Sequence, residues 1–333
     1  MTNYYMNLSF KDIVEAKNRI QNYVVKTPIL TNQTLNQKLG AEIFFKCENF
    51  QTTSSFKMRG AVNKILKFKE QNGYFPEKVV AVSSGNHAQA VAYLAKQFGI
   101  QALIYMEEKA SPYKIKATRN YGAEVVLTKT KKETEIYAEE RVLEGYLYIH
   151  SSNDEDIVCG QGTACLESLE EIGDVDTVFA PCGGGGLIVG SYLACQKQKT
   201  LPQVFAVEPK SANDTSVSYQ TGKIYSFETT PNSIADGAKT LRPSAVNFQY
   251  IQKLNGVYEI EEEEIIRWTQ IISTSLKIFI EPTAVLGIAA CAEFLRTNKP
   301  TKKLKILVIL SGGNMSAETA RQVWQKDYLS DEI

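Results

Sequence analysis

Short runs of β-branched and other apolar residues recur along the chain, and stretches with helical periodicity lie between them. The clearest runs are residues 78–82, 102–106, 124–128, 177–181, 203–207 and 305–310. The clearest helical spacing is that of Ala88, Val91, Ala92, Ala95 and Phe98. Such alternation is typical of parallel strands joined by crossover helices. The pattern therefore predicts an α/β fold with open twisted sheets.

Ligands in open α/β sheets bind beyond the carboxyl ends of the strands, so the residues that follow the runs are the functional candidates. Residues 51–61, QTTSSFKMRGA, place Lys57 between a hydroxyl-rich turn and a helix predicted to begin near Met58. A lysine becomes nucleophilic when desolvation or a nearby cation lowers its pKa, and Phe56 and Arg59 could supply either effect. Taken alone, the segment is more typical of a solvated lysine.

Residues 82–90, VSSGNHAQA, carry a strand end into a helix through Ser83, Ser84, Gly85 and Asn86. Backbone N–H groups at such a helix start bind anions such as a substrate carboxylate. An ordinary helix cap formed by Ser or Asn explains the same residues equally well.

Four consecutive glycines, Gly183–Gly186, separate a strand from a helix in residues 180–190, APCGGGGLIVG. Glycine lets successive backbone N–H groups form a nest around an anion. The segment has neither the Lys-Ser/Thr ending of a nucleotide P-loop nor the spacing of a dinucleotide fingerprint. It therefore favours a monophosphate ligand.

Residues 308–316, VILSGGNMS, again combine a strand, glycines and a helix, with Ser311 at the strand end. A neutral hydroxyl at this place could face a cofactor ring nitrogen and leave it unprotonated. A capped turn explains the segment as well.

Composition excludes several functional classes. Lys plus Arg and Asp plus Glu both total 37, so no net basic field favours nucleic acid or an anionic membrane. No window approaches the roughly 20 apolar residues of a membrane span, and the stretch MTNYYMNLSF does not resemble a signal peptide. We therefore expect a cytoplasmic protein with a small-molecule partner. His87 and His150 are the only histidines in the sequence, which excludes His-rich metal sites.

Taken together, the segments resemble the fold-type II pyridoxal-phosphate enzymes of the serine/threonine dehydratase and serine racemase family. The resemblance covers nearly the whole chain, through SSFKMRGA, SSGNHAQA, GQGTACLE, CGGGGLIVG, AVEPKSAND, SIADGAKT, IEPTAVLG and LSGGN in this order. It implies a tryptophan-synthase-β-like architecture and a homodimer. It also implies a large cofactor domain of residues 1–76 and 147–333, and a small domain of residues 77–146 that closes over the substrate.

The resemblance implies that pyridoxal 5'-phosphate forms a Schiff base with Lys57. The other implied cofactor contacts are Phe56, Asn86, Gly183, Gly184, Gly185, Gly186 and Ser311. The implied substrate contacts are Ser83, Ser84, Gly85, Asn86 and His87. Ser84 also resembles the racemase branch, in which a second acid reprotonates the opposite face of the substrate.

AVEPKSAND resembles the divalent-cation site of racemase-like members, with Glu208, the carbonyl of Ala212 and Asp214 as ligands. These oxygen donors suit Mg²⁺ or Ca²⁺. Without the resemblance, two acidic residues six positions apart are more typical of solvated surface. Glu281 in IEPTAVLG is implied to shape the cofactor pocket, although an acid at a helix start before Pro282 is a sufficient explanation.

Three departures from the family pattern lie near the expected substrate. Ser54 replaces a common Gly, Glu107 and Glu108 replace a segment with Pro, and residues 151–156 replace a Pro-containing loop. The resemblance implies a serine/threonine ammonia-lyase that forms a 2-oxo acid and ammonia. Serine racemisation with side elimination and 3-hydroxyaspartate dehydration are the alternatives, and an inactive ligand-binding homologue is a remote one.

Overall fold

The computed structural model describes residues 7–330. Residues 1–6, which belong to the stretch examined above for a signal peptide, and residues 331–333 lie outside the described part. Between residues 7 and 330, no helix is both long and apolar enough to span a membrane.

The strands follow the apolar runs, and each predicted run lies within a strand of the same or nearly the same bounds. The strands are β1 Ile29–Leu30, β2 Glu42–Cys47, β3 Lys78–Val82, β4 Gln101–Glu107, β5 Glu124–Thr128, β6 Leu147–Tyr148, β7 Thr177–Pro181, β8 Gln203–Pro209, β9 Gly256–Ile260 and β10 Lys305–Leu310. The run 305–310, for example, coincides with β10.

The α-helices are mostly the connections between these strands, as the periodicity predicted. They are α1 Phe10–Ile20, α2 Gln33–Leu39, α3 Lys57–Asn72, α4 Asn86–Phe98, α5 Pro112–Asn120, α6 Lys131–Leu143, α7 Glu155–Ile172, α8 Gly186–Ala194, α9 Asp214–Thr221, α10 Ala245–Ile251, α11 Glu262–Leu276, α12 Leu286–Asn298 and α13 Ala317–Val323.

The strands form two sheets, which confirms the predicted α/β class. One sheet has the order β1-β2-β10-β7-β8-β9, and all of its pairs are parallel except β1 with β2. The other has the order β5-β4-β3-β6 and is entirely parallel. Parallel sheets are buried on both faces, and apolar side chains accordingly pack on both sides of the central strands. The predicted domain bounds stay a prediction, although residues 78–148 supply every strand of the smaller sheet.

Close helix packing fixes the position of α3, the helix that begins at Lys57. A Cβ placed on Gly160 of α7 would lie 2.5 Å from the backbone oxygen of Arg59, and one on Gly60 would lie 2.9 Å from the oxygen of Ile157. The two helices therefore approach backbone to backbone, which only glycine permits. The first turn of α3 is held closely against α7 as a result.

Candidate active site

Lys57 lies at the start of α3 and points toward the loop that follows β6. Its Nζ donates a hydrogen bond of 2.8 Å to the carbonyl oxygen of Ser151. The Phe56 ring centroid lies 5.0 Å from the same nitrogen. Loss of hydration lowers the pKa of Lys57 to about 8, so a substantial part of this amine is neutral near physiological pH. The amine therefore meets the main requirement for a nucleophile.

Arg59 plays a different part from the one considered above. Its guanidinium is fully buried and bonds to Glu48 at 2.7 Å and to Glu167 at 2.8 Å. Lys46 contacts the same Glu167 at 2.9 Å. Desolvation alone lowers the pKa of Lys57, so the expectation that Arg59 might do so is wrong. The buried charge network instead fixes the base of α3.

The turn before Lys57 pairs with the loop after β10. Phe56 N donates to the oxygen of Ser311 at 3.1 Å, and Gly313 N donates to the oxygen of Ser54 at 2.9 Å. Ser54 adopts φ +54°, the left-handed region that favours glycine. This backbone explains why the family commonly has Gly here, and the pairing joins two segments that are far apart in sequence into one site.

Ser311 has a buried hydroxyl, 2% exposed, whose Oγ has no hydrogen-bond partner among the described residues. A buried polar group without a partner is costly, so its presence indicates a bonding group that is not part of the chain. A pyridine nitrogen is such an acceptor. Ser311 therefore fits the cofactor contact that the resemblance implies, and the contact itself stays a prediction.

The glycine loop lies against two hydroxyl groups. A Cβ placed on Gly184 would overlap the Ser152 side chain and lie 2.9 Å from Ser244 Oγ, so only glycine fits there. Gly185 has φ +92° and Gly186 begins α8. The Ser152 and Ser244 hydroxyl oxygens are 2.7 Å apart. Backbone N–H groups, a helix start and two hydroxyls together suit a phosphate, which the four-glycine pattern predicted.

Asn86, the first residue of α4, bonds to groups of the large sheet. Its Nδ2 donates to Glu281 Oε1 at 2.8 Å, and its Oδ1 accepts from Asn314 Nδ2 at 2.9 Å. Asn314 N also donates to Glu281 Oε2 at 3.1 Å. Burial raises the pKa of Glu281 to about 7, and the charge of Asp236 adds to this shift. Glu281 is therefore part of the site, beyond the helix-start role that the sequence alone could justify.

The loop after β3 leads directly into the start of a helix. Ser83 Oγ accepts a hydrogen bond of 3.1 Å from Gly85 N, and α4 begins at the next residue, Asn86. Ser84 is partly exposed and makes no hydrogen bond to the described residues. His87 is buried and its Nε2 lies 2.7 Å from the oxygen of Ile149. Burial, together with the charge of Lys57, lowers the pKa of His87 to about 3, so this ring is neutral and positions the loop.

A cleft of about 220 Å³ opens beside Gly184 of the glycine loop and beside Ser151, which accepts the hydrogen bond from Lys57. It is lined by Val82, Lys131, Glu135, Tyr148, His150, Ser151, Ser152, Asn153, Gly184, Thr240, Leu241, Arg242, Pro243, Ser244 and Ala245. Val82 precedes the Ser83–His87 loop, and Ser151 accepts the hydrogen bond from Lys57. The cleft therefore adjoins the candidate catalytic, phosphate-binding and substrate-binding groups.

Several residues of the site could not be identified from the sequence. Lys114 of α5 is buried and forms an ion pair with Asp236. The pair joins the helix between β4 and β5 of the smaller sheet to the segment between β8 and β9 of the larger sheet. Lys114 Nζ also lies 3.6 Å from where a Cβ on Gly85 would be. Lys114, Lys131 and Arg242 occur in charged segments that look like solvated surface, so no local pattern distinguishes them.

Glu208 and Asp214 are both fully buried. Glu208 accepts hydrogen bonds from Thr215 N at 3.2 Å and Ser216 N at 2.6 Å, and Asp214 accepts one from Thr240 Oγ1 at 3.0 Å. Burial raises the pKa of Asp214 to about 7 and that of Glu208 well above its usual value. Asp214 Oδ1 has no described partner. The two carboxylates therefore suit a cation, with the buried Ala212 between them in sequence.

Among residues 7–330, no cluster of three or more His, Cys, Asp or Glu side chains could hold a metal. The predicted cation site has only two carboxylates and relies on a backbone carbonyl and water for its other ligands, so it differs from such a cluster. Occupation of this site stays a prediction.

Comparison with known proteins places this geometry in a family. The family model described as "Pyridoxal-phosphate dependent enzyme" matches residues 20–312. An L-threo-3-hydroxyaspartate ammonia-lyase of Saccharomyces cerevisiae is 38% identical over 310 residues, covering 92% of this chain and 93% of that protein. A serine racemase of Schizosaccharomyces pombe is 38% identical over 313 residues, covering 93% and 95%.

A solved structure shows the same fold. The crystal structure of a threonine deaminase of T.th. has a TM-score of 0.85 and 37% sequence identity, covering 93% of this chain and 99% of that one. The matched residues of the family model include Lys57, the glycine loop and Ser311. The chain therefore belongs to the pyridoxal-phosphate dependent enzymes, among relatives that are named as ammonia-lyases and racemases.

Proposed function

We propose that this protein is a pyridoxal-phosphate-dependent ammonia-lyase that converts a β-hydroxy amino acid such as serine or threonine to a 2-oxo acid and ammonia. The observation that carries the proposal is the position of Lys57. Its amine, with a pKa lowered to about 8, donates a hydrogen bond to Ser151, which lines a cleft together with Gly184 of the glycine loop and with Val82, the residue before Ser83. The candidate base Lys57, the candidate phosphate site at the glycine loop and the candidate carboxylate site at the loop before α4 are thus neighbours of one cleft.

Each group has a definite task in this proposal. Bound pyridoxal phosphate supplies an electron sink next to the α-carbon. Lys57 would hold the cofactor and then, as a neutral amine, accept the α-proton. The N–H groups of the Ser83–Asn86 loop would bind the substrate carboxylate, and Gly183–Gly186 the phosphate. Serine then loses its β-hydroxyl as water and takes up water on hydrolysis, so that the products are pyruvate and ammonia.

The neutral Ser311 hydroxyl favours elimination. A carboxylate at this place would keep the pyridine nitrogen protonated, whereas a hydroxyl leaves it neutral. Ser311 would hold the ring nitrogen of bound pyridoxal phosphate as a neutral acceptor, and the weaker electron sink would favour substrates with a β-leaving group. Ser311 is buried and unpartnered among the described residues, as this role requires.

Serine racemisation is the second candidate, because the Ser84 hydroxyl is available to donate a proton. It lies on the substrate loop and is not bonded to another described group. A relative named serine racemase is 38% identical over 313 residues. An inactive ligand-binding homologue is disfavoured by the presence of Lys57, Asn86 and Ser311.

A substrate panel tests the proposed function. The protein is loaded with pyridoxal phosphate and incubated with L-serine, L-threonine and L-threo-3-hydroxyaspartate. We expect ammonia and the matching 2-oxo acid in equal amounts. D-serine in excess of pyruvate would favour racemisation as the main activity. No ammonia from any of the three would contradict the proposal.

Three further features belong to this proposal. We propose a divalent cation, Mg²⁺ or Ca²⁺, bound by Glu208, Asp214 and the carbonyl of Ala212, because both carboxylates are buried and neither forms a direct ion pair within the described residues, although the charge of Lys131 acts on Asp214. We propose a cytoplasmic homodimer, as the resemblance implies. We also propose that residues 77–146 close over the substrate, with the ion pair between Lys114 and Asp236 tying the two units together.

A further inference from the structure

Two cationic side chains, Lys131 and Arg242, line the cleft. Lys131 contributes from the first turn of α6, and Arg242 contributes from the loop that precedes α10. Arg242 contacts one carboxylate, Glu135, at 3.5 Å, and its side chain is 52% exposed. Lys131 forms no ion pair with a carboxylate of the described residues, although burial removes much of its hydration. Lys131 therefore has no carboxylate in direct contact, although the charges of Glu135, Glu107 and Asp214 act on it, and Arg242 has one long contact.

The same cations lie close to the reacting end of the cleft. His150 lines the cleft, and burial lowers its pKa to about 4, with the charges of Lys57, Lys131 and Arg242 as the next causes. His150 Nδ1 accepts hydrogen bonds from Ser152 N and Asn153 N, at 3.1 and 2.8 Å. These bonds fix the orientation of the ring, which lines the cleft as a neutral side chain. The charges of the three cations therefore act on one neutral side chain.

Lys131 belongs to the side of the cleft where the substrate is expected. Its helix, α6, packs against β3, the strand that ends in the Ser83–His87 loop. Val82, the last residue of β3, lines the cleft together with Lys131. An amino acid whose α-carboxylate binds at this loop would therefore extend its side chain along the wall that holds the cations.

From this arrangement we propose that Lys131 and Arg242 form a subsite for a second, side-chain carboxylate, so that the preferred substrate is a dicarboxylic β-hydroxy amino acid such as 3-hydroxyaspartate. The inference rests on the proposed function, because it specifies the substrate of the same site. A side-chain carboxylate gives Lys131 a partner and competes with Glu135 for Arg242. The side chains of serine and threonine do neither.

The cofactor phosphate is the rival anion for these cations, since Gly184 lines the same cleft. The phosphate site already has the backbone nest of the glycine loop and the hydroxyls of Ser152 and Ser244. Lys131 lies on α6, which packs against the smaller sheet, whereas the glycine loop follows β7 of the larger sheet. The substrate side chain is therefore the better match for Lys131.

The experiment compares two substrates in the same preparation. The ratio of kcat/KM for L-threo-3-hydroxyaspartate to kcat/KM for L-serine is measured in the unaltered enzyme, Lys131→Met, Arg242→Gln and the double variant. The ratio does not depend on the fraction of protein that folds. We expect it to favour 3-hydroxyaspartate in the unaltered enzyme and to fall at least tenfold in each single variant, which corresponds to about 1.4 kcal/mol. The exposed Lys132→Met and Arg296→Gln serve as matched controls and should keep the ratio.

Two binding measurements separate the explanations. Succinate, a dicarboxylate that cannot react, should bind the cofactor-loaded enzyme in calorimetry at least tenfold more tightly than butyrate, and the two variants should remove this difference. An unchanged ratio and unchanged succinate binding would overturn the subsite while leaving the lyase activity intact. Weaker pyridoxal-phosphate binding with an unchanged ratio would also overturn it and assign the cations to the phosphate. If the unaltered enzyme eliminates water from none of the substrates, the proposed function fails, and succinate binding still decides the subsite.

Discussion

Asn86 and Glu281 are 195 residues apart, yet Asn86 Nδ2 donates a hydrogen bond of 2.8 Å to Glu281 Oε1. Asn86 starts the helix that follows β3 in the small sheet, whereas Glu281 precedes α12, which packs on the large sheet. The contact therefore couples the two sheet systems at the candidate cofactor site. Because Glu281 is buried, its protonation state matters for the whole arrangement.

Glu281→Gln should change how stability depends on pH. The unfolded carboxyl loses its proton near pH 4.5, whereas the folded one keeps it until about pH 7. Between these values the folded state binds more protons, so this group makes the free energy of unfolding fall as pH rises, by up to about 1.4 kcal/mol per pH unit. Urea unfolding of the apo-protein from pH 4.5 to 7 should show the variant gaining stability relative to the unaltered protein. The exposed Glu318→Gln should leave a constant difference.

Lys57→Ala should abolish the covalent attachment of pyridoxal phosphate, because it removes the amine that the proposed Schiff base requires. Borohydride reduction followed by mass spectrometry measures the attachment, and the visible absorbance of the bound cofactor is a second signal. Lys69→Ala, an exposed lysine of the same helix, should keep both signals. A cofactor adduct of normal yield in Lys57→Ala would refute the assignment of this lysine.

Ser84→Ala should lower the formation of D-serine at least tenfold relative to pyruvate, because a methyl group cannot donate a proton. Chiral chromatography and a pyruvate assay on the same sample measure the ratio. Ser83→Ala is the matched comparison, since it removes the hydroxyl that accepts from Gly85 N and keeps that of Ser84. If both variants keep the original product ratio, Ser84 is not the second acid.

Asp214→Asn should remove the stabilisation that a divalent cation gives to this protein. Two buried carboxylates without a direct ion pair in the described residues are costly, and a bound ion at 100 times its Kd would stabilise the fold by about 2.7 kcal/mol. The Tm should therefore rise with millimolar Mg²⁺ or Ca²⁺ in the unaltered protein and in the exposed Asp327→Asn, and remain nearly constant in Asp214→Asn. An equal rise in all three would show that the ion binds elsewhere.

Arg59→Met should destabilise the protein by about 3–5 kcal/mol, because it leaves the buried Glu48 without its cation and Glu167 with Lys46 alone. Urea denaturation measures the loss, and the exposed Arg119→Met should change stability by less than about 0.5 kcal/mol. Combining Arg59→Met with Glu48→Gln should recover part of the loss, since the second change removes the uncompensated charge. No recovery would indicate that packing dominates the effect.

The sequence alone determined the elements and the chemistry carried by local motifs. Parallel strands are buried on both faces, so runs such as 78–82 and 305–310 are nearly continuous in apolar residues and mark β3 and β10 with little ambiguity. The four glycines and Lys57 were recognisable because both depend on neighbours along the chain. The family resemblance then added the cofactor and the order of the segments.

The tertiary structure decided what depends on residues far apart in sequence. It placed Arg59 in a buried network with Glu48 and Glu167 instead of beside the Lys57 amine, and it brought Glu281 to Asn86. It also brought Lys131 and Arg242 to one cleft. A charge on a helix or loop looks solvated in sequence, since burial and partners are set by how elements pack. Only the packed chain shows which charges lack a partner.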